Sequence, residues 1–138
     1  MHWASQYIGL PWSAQGEGPD SFHCWAFVRH IQSKHFGRPL PEIPNPEDLL
    51  ALARAFRDHP ERQRWDLVAE AADGDCVLLR QARYPVHVGV WLDVETSGGQ
   101  GGVLHCSRDS GVVFQGPGAL VLNGWKIEGF YRFKGVVA

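Results

Sequence analysis

The spacing of apolar residues changes once along the chain, from a helical period to a strand period. Between residues 22 and 36 the apolar positions follow the i, i+3, i+4, i+7 spacing of one buried helix face: Cys24, Phe27, Val28 and Ile31. Ser21 is the expected N-cap of this helix, and Gly37 is the expected C-terminal stop. A second helix is expected to begin at Asn45 and to stop before Pro60. Residues 5–12 predict a short helix or turn.

Five later segments are short, β-branched or aromatic, and separated by Gly, Pro, Asp and Ser; they are 75–79, 86–92, 103–107, 111–115 and 130–133. The glycine-rich piece 96–102 predicts a flexible hairpin tip. Helices followed by neighbouring strands indicate an α+β fold, with N-terminal helices packed on a central antiparallel β-sheet. The length of 138 residues is that of a single domain, 1–138.

Composition excludes several classes of partner. The net charge of −2 gives no electrostatic basis for binding nucleic acid or an anionic membrane surface. No apolar run approaches the length of a membrane span, and the first ten residues do not resemble a secretory signal. We therefore expect no nucleic-acid or membrane partner, and synthesis in the cytoplasm without a signal peptide. The odd count of three cysteines favours thiols over a disulfide framework.

Strand alternation places two histidines on one sheet face. In 86–92 the face with His87, Gly89 and Trp91 is opposite the face that carries the valines Val86, Val88 and Val90. In 103–107, His105 and Cys106 point to opposite faces. If the two strands are neighbours, His87 and His105 lie side by side at roughly 5 Å.

Cys24 stands in the first turn of its helix, where the helix dipole and free N–H groups stabilise a thiolate. A neighbouring imidazole could take the thiol proton, and a second polar group could fix the tautomer of that imidazole. Cys24, His87 and His105 thus form a candidate set of nucleophile, base and orienting residue. The alternatives are a buried structural thiol, or zinc held by the pairs His23-Cys24 and His105-Cys106. The opposed directions of His105 and Cys106 argue against zinc, and we expect neither metal nor organic cofactor. Cys76 and Cys106 are assigned to packing.

Several motifs together resemble the NlpC/P60 cysteine peptidases. The segment "GLPWSAQGEGPDSFHCWAF" is similar to the opening motif of that family, in which Gly-x-Pro-Tyr precedes a Gly-rich turn and Phe-Asp-Cys. "DGDCVLL", "HVGVWLD" and "VLHCS" resemble the Pro-Gly-Asp strand, the histidine strand and the strand of the third polar residue. His23 replaces the usual Asp and Trp12 the usual Tyr. "CWAFVR", "GVLHC…GVVFQ" and a late Gly-Trp look most like the branch associated with phage and prophage tails.

The resemblance implies a papain-like α+β fold and hydrolysis of amide bonds in bacterial peptidoglycan stem peptides. If the catalytic positions of the family are transferred to the matching residues of this chain, Cys24 is the nucleophile, His87 the base and His105 the orienting third member. The positions of Trp12 and His23 lie at the substrate end of the site in relatives. From the sequence alone, Trp12 and Trp25 either line the substrate cleft or fill core. The implied partners are a peptidoglycan peptide and other phage tail proteins, with delivery to the cell wall in a tail or tail-like particle. A structural tail module with little activity, an acyltransferase or deamidase, and an antibacterial amidase toxin are alternatives on the same scaffold.

Overall fold

The computed structural model describes residues 2–43, 54, 57–81, 87–96 and 99–135. Its elements in chain order are a 3-10 helix Trp3–Tyr7, helix α1 Cys24–Phe36, a 3-10 helix Pro60–Arg64, strands β1 Trp65–Val68, β2 Cys76–Arg80, β3 His87–Thr96, β4 Gly99–Ser107 and β5 Gly111–Gln115, helix α2 Pro117–Leu122, and strand β6 Lys126–Phe133. Most of the second helix predicted from Asn45, and Val86 at the start of the predicted histidine strand, lie outside the described residues. Within the described residues, no helix is both long and apolar enough to cross a membrane.

The six strands form one antiparallel sheet in the order β1-β6-β2-β3-β4-β5. The strands β2 to β5 are joined to their sequence neighbours, as the run of short strands predicts. The last strand instead enters between β1 and β2. The α+β prediction with an antiparallel sheet is confirmed.

Helix α1 packs on one face of this sheet through the predicted apolar stripe. Phe27, Val28 and Ile31 are fully buried, each contributing roughly 1.5–3 kcal/mol by leaving water. They join a core cluster that includes Val90 of β3 and Leu104 of β4. The stripe was therefore predicted correctly from its period.

The opposite sheet face has a smaller core of its own. Val77, Leu79, Trp91 and Val103 pack there with Leu120, the one buried residue of α2. Neither α2 nor β1 was predicted, because each is short and lacks a clear apolar period. The odd positions of β3 and β4 belong to this second face, and these include both histidines of the predicted site.

Two local predictions were wrong. Helix α1 begins at Cys24 rather than at residue 22, and its N-cap is His23 rather than Ser21. Phe22 is held extended because it forms a β-bridge with Trp12 and its N–H donates to Pro11 O. The predicted C-terminal stop is confirmed, since Gly37 adopts the left-handed conformation.

The glycine-rich segment is also more ordered than predicted. Residues from Gly99 onward belong to β4, so 99–102 is strand rather than a flexible tip. A side chain at Gly101 would collide with the ring of Trp91, and one at Gly102 would collide with the ring of Phe114. These glycines serve close packing of neighbouring side chains.

Candidate active site

The N-terminus of α1 is built around a histidine cap. The ring Nδ1 of His23 accepts the N–H of Ala26 at 3.4 Å, and the His23 carbonyl accepts the N–H of Phe27 at 3.0 Å. The Nε2 of the same ring contacts Glu17 Oε1 at 3.2 Å. Asp, Asn, Ser and Thr are the common N-caps, and here an imidazole takes that role. Cys24 consequently becomes the first residue of the helix.

The Cys24 thiol lies beside the start of β3. Backbone N–H groups of Val88, Trp25 and Cys24 itself lower its pKa, as expected for a first-turn position. Burial acts in the opposite direction and is the larger effect, so the pKa of the thiol is raised to about 11. The sequence correctly predicted that first-turn N–H groups favour the thiolate, but the prediction of a stabilised thiolate was wrong because burial disfavours it more. At neutral pH Cys24 is a neutral thiol.

The two predicted histidines are hydrogen-bonded to each other. His87 Nε2 and His105 Nδ1 are 2.8 Å apart, which confirms the prediction that they lie side by side. His105 Nε2 in turn lies 2.8 Å from Oε1 of Gln115 on β5. Burial lowers the pKa of His87 well below its usual value and that of His105 to about 4. Both rings are thus uncharged at neutral pH.

Trp125 covers this histidine pair. Its indole stacks on the ring of His87, with centroids 4.5 Å apart and planes inclined by 23°. It meets His105 edge-on at 5.5 Å. An aromatic cover of this kind shields a hydrogen bond from water and holds the His87 ring in one plane.

The thiol and the imidazole belong to opposite faces of β3. Cys24 packs with Val88 in the core beneath α1, whereas His87 points toward Trp125. The Val88 N–H that acts on the sulfur belongs to the peptide group joining His87 to Val88, so the two groups flank one peptide unit. Within the described residues neither group has the other as a hydrogen-bond partner, and His87 Nδ1 has none at all. Catalytic hydrogen bonds are often long before substrate binds.

The three predicted substrate-binding residues take different positions. Trp12 is half-buried, forms a β-bridge with Phe22 two residues before Cys24, and has the Arg108 guanidinium 4.9 Å above its ring. Trp25 is half-buried and donates to Pro41 O at 2.9 Å. His23 is 2% exposed, and both of its ring nitrogens are engaged within the chain. Trp12 and Trp25 are therefore partly exposed and could contact a ligand. His23 is buried, and its contacts are those of a helix N-cap.

The other two cysteines are buried. Cys76 is contacted by Gln32, and Cys106 donates its S–H to Phe22 O at 3.3 Å. In the part of the chain that the structure describes, no three His, Cys, Asp or Glu side chains are arranged to hold a metal ion.

Sequence reasoning missed Gln115 and gave Trp125 no role. Alternation puts Val113 and Gln115 on one face of their strand. That this is the face with His105 follows from the register, in which Val113 pairs with His105. Trp125 lies between α2 and β6, outside any periodic segment, so no spacing argument could place it.

Comparison with known proteins identifies the family of this chain. The NlpC/P60 family matches residues 9–122, which include all three predicted catalytic positions. The chain belongs to the NlpC/P60 family. Among curated proteins no sequence matches it.

Solved structures show the same fold for this NlpC/P60 chain. It superposes on the NlpC/P60 domain of the peptidoglycan hydrolase SagA with a TM-score of 0.54 and 18% identity, covering 94% of this chain and 91% of that one. It also superposes on NlpC1 from Trichomonas vaginalis with a TM-score of 0.59 and 15% identity, covering 94% of this chain and 41% of that one. The papain-like α+β fold that the resemblance implied is confirmed.

Proposed function

We propose that this NlpC/P60 domain is a cysteine peptidase or amidase that hydrolyses amide bonds in bacterial peptidoglycan stem peptides. The observation that carries the proposal is the buried pair His87–His105 at 2.8 Å, with Cys24 at the adjoining helix N-terminus. The family supports a thiol-dependent hydrolase, and its SagA member is named as a peptidoglycan hydrolase. In this proposal Cys24 is the nucleophile, His87 the base and His105 the orienting residue.

The first half-reaction begins from a neutral thiol and a neutral imidazole. The Cys24 sulfur attacks the scissile carbonyl carbon while its proton passes to Nδ1 of His87, the nitrogen without a partner among the described residues. A preformed thiolate is disfavoured because the pKa of the thiol is about 11 and that of His87 is well below its usual value. Proton transfer and attack are therefore coupled. Substrate must bring the sulfur and Nδ1 into line.

The carbonyl oxygen becomes negatively charged in the tetrahedral intermediate. The amides of Ala26 and Phe27 are already capped by His23, whereas those of Cys24 and Trp25 lie toward the sulfur. These two N–H groups are placed to stabilise the oxyanion. His87 then protonates the leaving amine, and an acyl-enzyme remains on Cys24.

Water completes the reaction in a hydrolase. His87 takes a proton from the water, whose oxygen bonds to the acyl carbon. The carbon–sulfur bond then breaks, and the proton passes from His87 to the departing sulfur, which restores the thiol and the neutral imidazole. An amine in place of water would give acyl transfer instead. Product masses separate the two, because hydrolysis adds one water to the cleaved peptide and acyl transfer adds the amine.

The test is mass spectrometry of soluble products from purified sacculi and from defined stem peptides. Wild-type protein is compared with Cys24→Ala and His87→Ala, and Cys76→Ala is the matched control because Cys76 is a buried thiol on β2 away from the site. We expect new fragments with wild type and Cys76→Ala only. Fragments that persist with Cys24→Ala would refute the assignment of Cys24 as the nucleophile. An absence of fragments from all wall types with wild-type protein would refute the proposal that the domain is an enzyme acting on peptidoglycan.

A structural module with little activity is the second candidate. It is favoured by the absence of a thiol–imidazole hydrogen bond among the described residues and by the raised pKa of Cys24. Slow alkylation of the free protein does not distinguish the enzyme from the structural module, since a thiol with this pKa reacts slowly in either case. Formation of cleaved peptide products distinguishes them.

Incorporation into a phage or prophage tail is the finer part of the proposal. It is supported by the motifs "CWAFVR" and "GVLHC…GVVFQ" and by the late Gly-Trp, which resemble the tail-associated branch. The same proposal includes synthesis in the bacterial cytoplasm and delivery to the wall in the particle. Mass spectrometry of purified tail particles tests it: the protein should copurify with tail components at constant ratio, and its absence from the particles would contradict the assignment.

A further inference from the structure

The hydrogen-bonded chain through His87, His105 and Gln115 admits only two arrangements of protons. Each neutral imidazole carries one N–H, and each link needs one donor and one acceptor. In the first arrangement His87 Nε2–H donates to His105 Nδ1, and His105 Nε2–H donates to Gln115 Oε1. In the second arrangement the amide of Gln115 donates, His105 carries its proton on Nδ1, and His87 carries its proton on Nδ1.

The two arrangements have opposite consequences for catalysis. In the first, His87 Nδ1 has a free lone pair and can accept the Cys24 proton. In the second, Nδ1 is already protonated and cannot act as a base. The end of the Gln115 amide that faces His105 therefore decides the state of the reacting nitrogen, two hydrogen bonds away.

The structure places the carbonyl end of the amide, Gln115 Oε1, at 2.8 Å from His105 Nε2. On the sheet, Gln115 pairs with Val103 and is thus the diagonal neighbour of His105. Diagonal neighbours are separated by roughly 7–8 Å between Cα atoms, which a Gln side chain spans more readily than an Asn side chain.

We propose that Gln115 is a positioning residue that fixes both active-site histidines in the Nε2–H tautomer and so leaves His87 Nδ1 free to act as the base. This role rests on the proposed function of the site, but the proton positions can be measured without substrate. Gln115 touches neither the nucleophile nor the scissile bond. It acts through His105, as the terminal acceptor of the chain.

The experiment is histidine tautomer assignment by long-range ¹H–¹⁵N correlation NMR on protein labelled with ¹⁵N-histidine. The variants are Gln115→Met, which keeps the length but removes the acceptor, Gln115→Glu, which can only accept when ionised, and Gln115→Asn, which keeps the amide but shortens its reach. Gln100→Met on β4 is the matched control, because the side chain of Gln100 is exposed and donates to Asp93 O. His87→Gln and His105→Asn assign the two resonance sets.

We expect wild type, Gln115→Glu and Gln100→Met to show Nε2–H on both histidines at neutral pH. Gln115→Met and Gln115→Asn should populate the Nδ1–H form of both rings together. In turnover, the Met and Asn variants should lose about tenfold in kcat with KM unchanged, since the free energy of one neutral hydrogen bond biases the tautomer. Glu should retain wild-type kcat.

Two results would overturn the proposal. One is Nδ1–H on either ring of the wild-type protein, and the other is an unchanged tautomer pattern in Gln115→Met. If Gln115→Met fails to fold, the wild-type spectrum and the contrast between Gln115→Glu and Gln115→Asn still decide the question. Correct tautomers in a protein that cleaves no peptidoglycan would refute the proposed function and leave the role of Gln115 intact.

Discussion

Acid should destabilise this protein through its buried histidines, and His105 allows the size of the effect to be worked out. Burial lowers the pKa of His105 from its ordinary value of 6.5 to about 4. The unfolded chain therefore takes up a proton at higher pH than the folded chain does, so the stabilisation is present above pH 6.5 and is lost as pH falls through 4. Integrating this difference gives a loss of about 2 kcal/mol by pH 5 and about 3 kcal/mol by pH 4.

The measurement is urea unfolding of wild type and His105→Asn at several pH values between 7 and 4. Asn retains an oxygen that can accept from His87 Nε2 but does not titrate in this range. We expect the wild-type advantage in free energy of unfolding to shrink by about 3 kcal/mol from pH 7 to pH 4. Carboxylates that titrate over the same range affect both proteins and cancel in the difference.

Val112→Ala is the control for a general loss of stability. Val112 is fully buried and pairs with Cys106. It precedes Val113, the β5 residue that pairs with His105, and it carries no titratable group. The free energy of unfolding of Val112→Ala should be lower than that of wild type by the same amount at every pH. If the His105→Asn curve also runs parallel to wild type, His105 does not titrate with a lowered pKa and the assignment of a neutral histidine pair is wrong.

Three further predictions address the thiol, the aromatic cover and a turn glycine. Alkylation of Cys24 by iodoacetamide should accelerate about tenfold per pH unit from pH 7 to pH 10, because its pKa is about 11, and a plateau below pH 8 would contradict this value. Trp125→Leu should lower kcat about tenfold while Trp125→Phe largely retains it, since stacking orients the histidine ring beneath; full activity in the Leu variant would remove that role. Gly111→Ala should cost at least about 2 kcal/mol in unfolding experiments, because its φ is 69° and an added methyl would collide with Leu10 O. Gly118→Ala, with nothing within 4 Å, should be neutral, and equal stabilities would contradict the steric argument.

Local periodicity predicted the parts of the site that lie within regular elements. The helical spacing around Cys24 identified the buried stripe of α1, and alternation in β3 and β4 placed His87 and His105 on one face. Both results follow from geometry that repeats every few residues. The relative position of thiol and imidazole does not repeat in this way, because it depends on which sheet face α1 covers.

Other features depend on contacts that sequence spacing does not encode. The N-cap falls at His23, later than predicted, because the N–H groups of Phe22 and His23 donate to Pro11 O and Gly16 O and hold this segment extended. The net pKa of Cys24 follows from the depth of burial, which outweighs the helix N-terminus. The insertion of β6 between β1 and β2 is a long-range pairing with no local signature.

That insertion gives the active site a fixed place in the order of synthesis and folding. β6 lies between β1 and β2 and pairs with both. Trp125 directly precedes β6, so the ring that covers His87 is synthesised together with the strand that joins β1 to the rest of the sheet. Until residues 125–133 leave the ribosome, β1 lacks the strand with which it pairs in the described sheet, and the histidine pair lacks its cover. The nascent chain thus contains Cys24 well before the residues that cover the histidine pair have been made. The segment from Trp125 to Phe133 therefore completes both the sheet and the aromatic cover of the histidine pair.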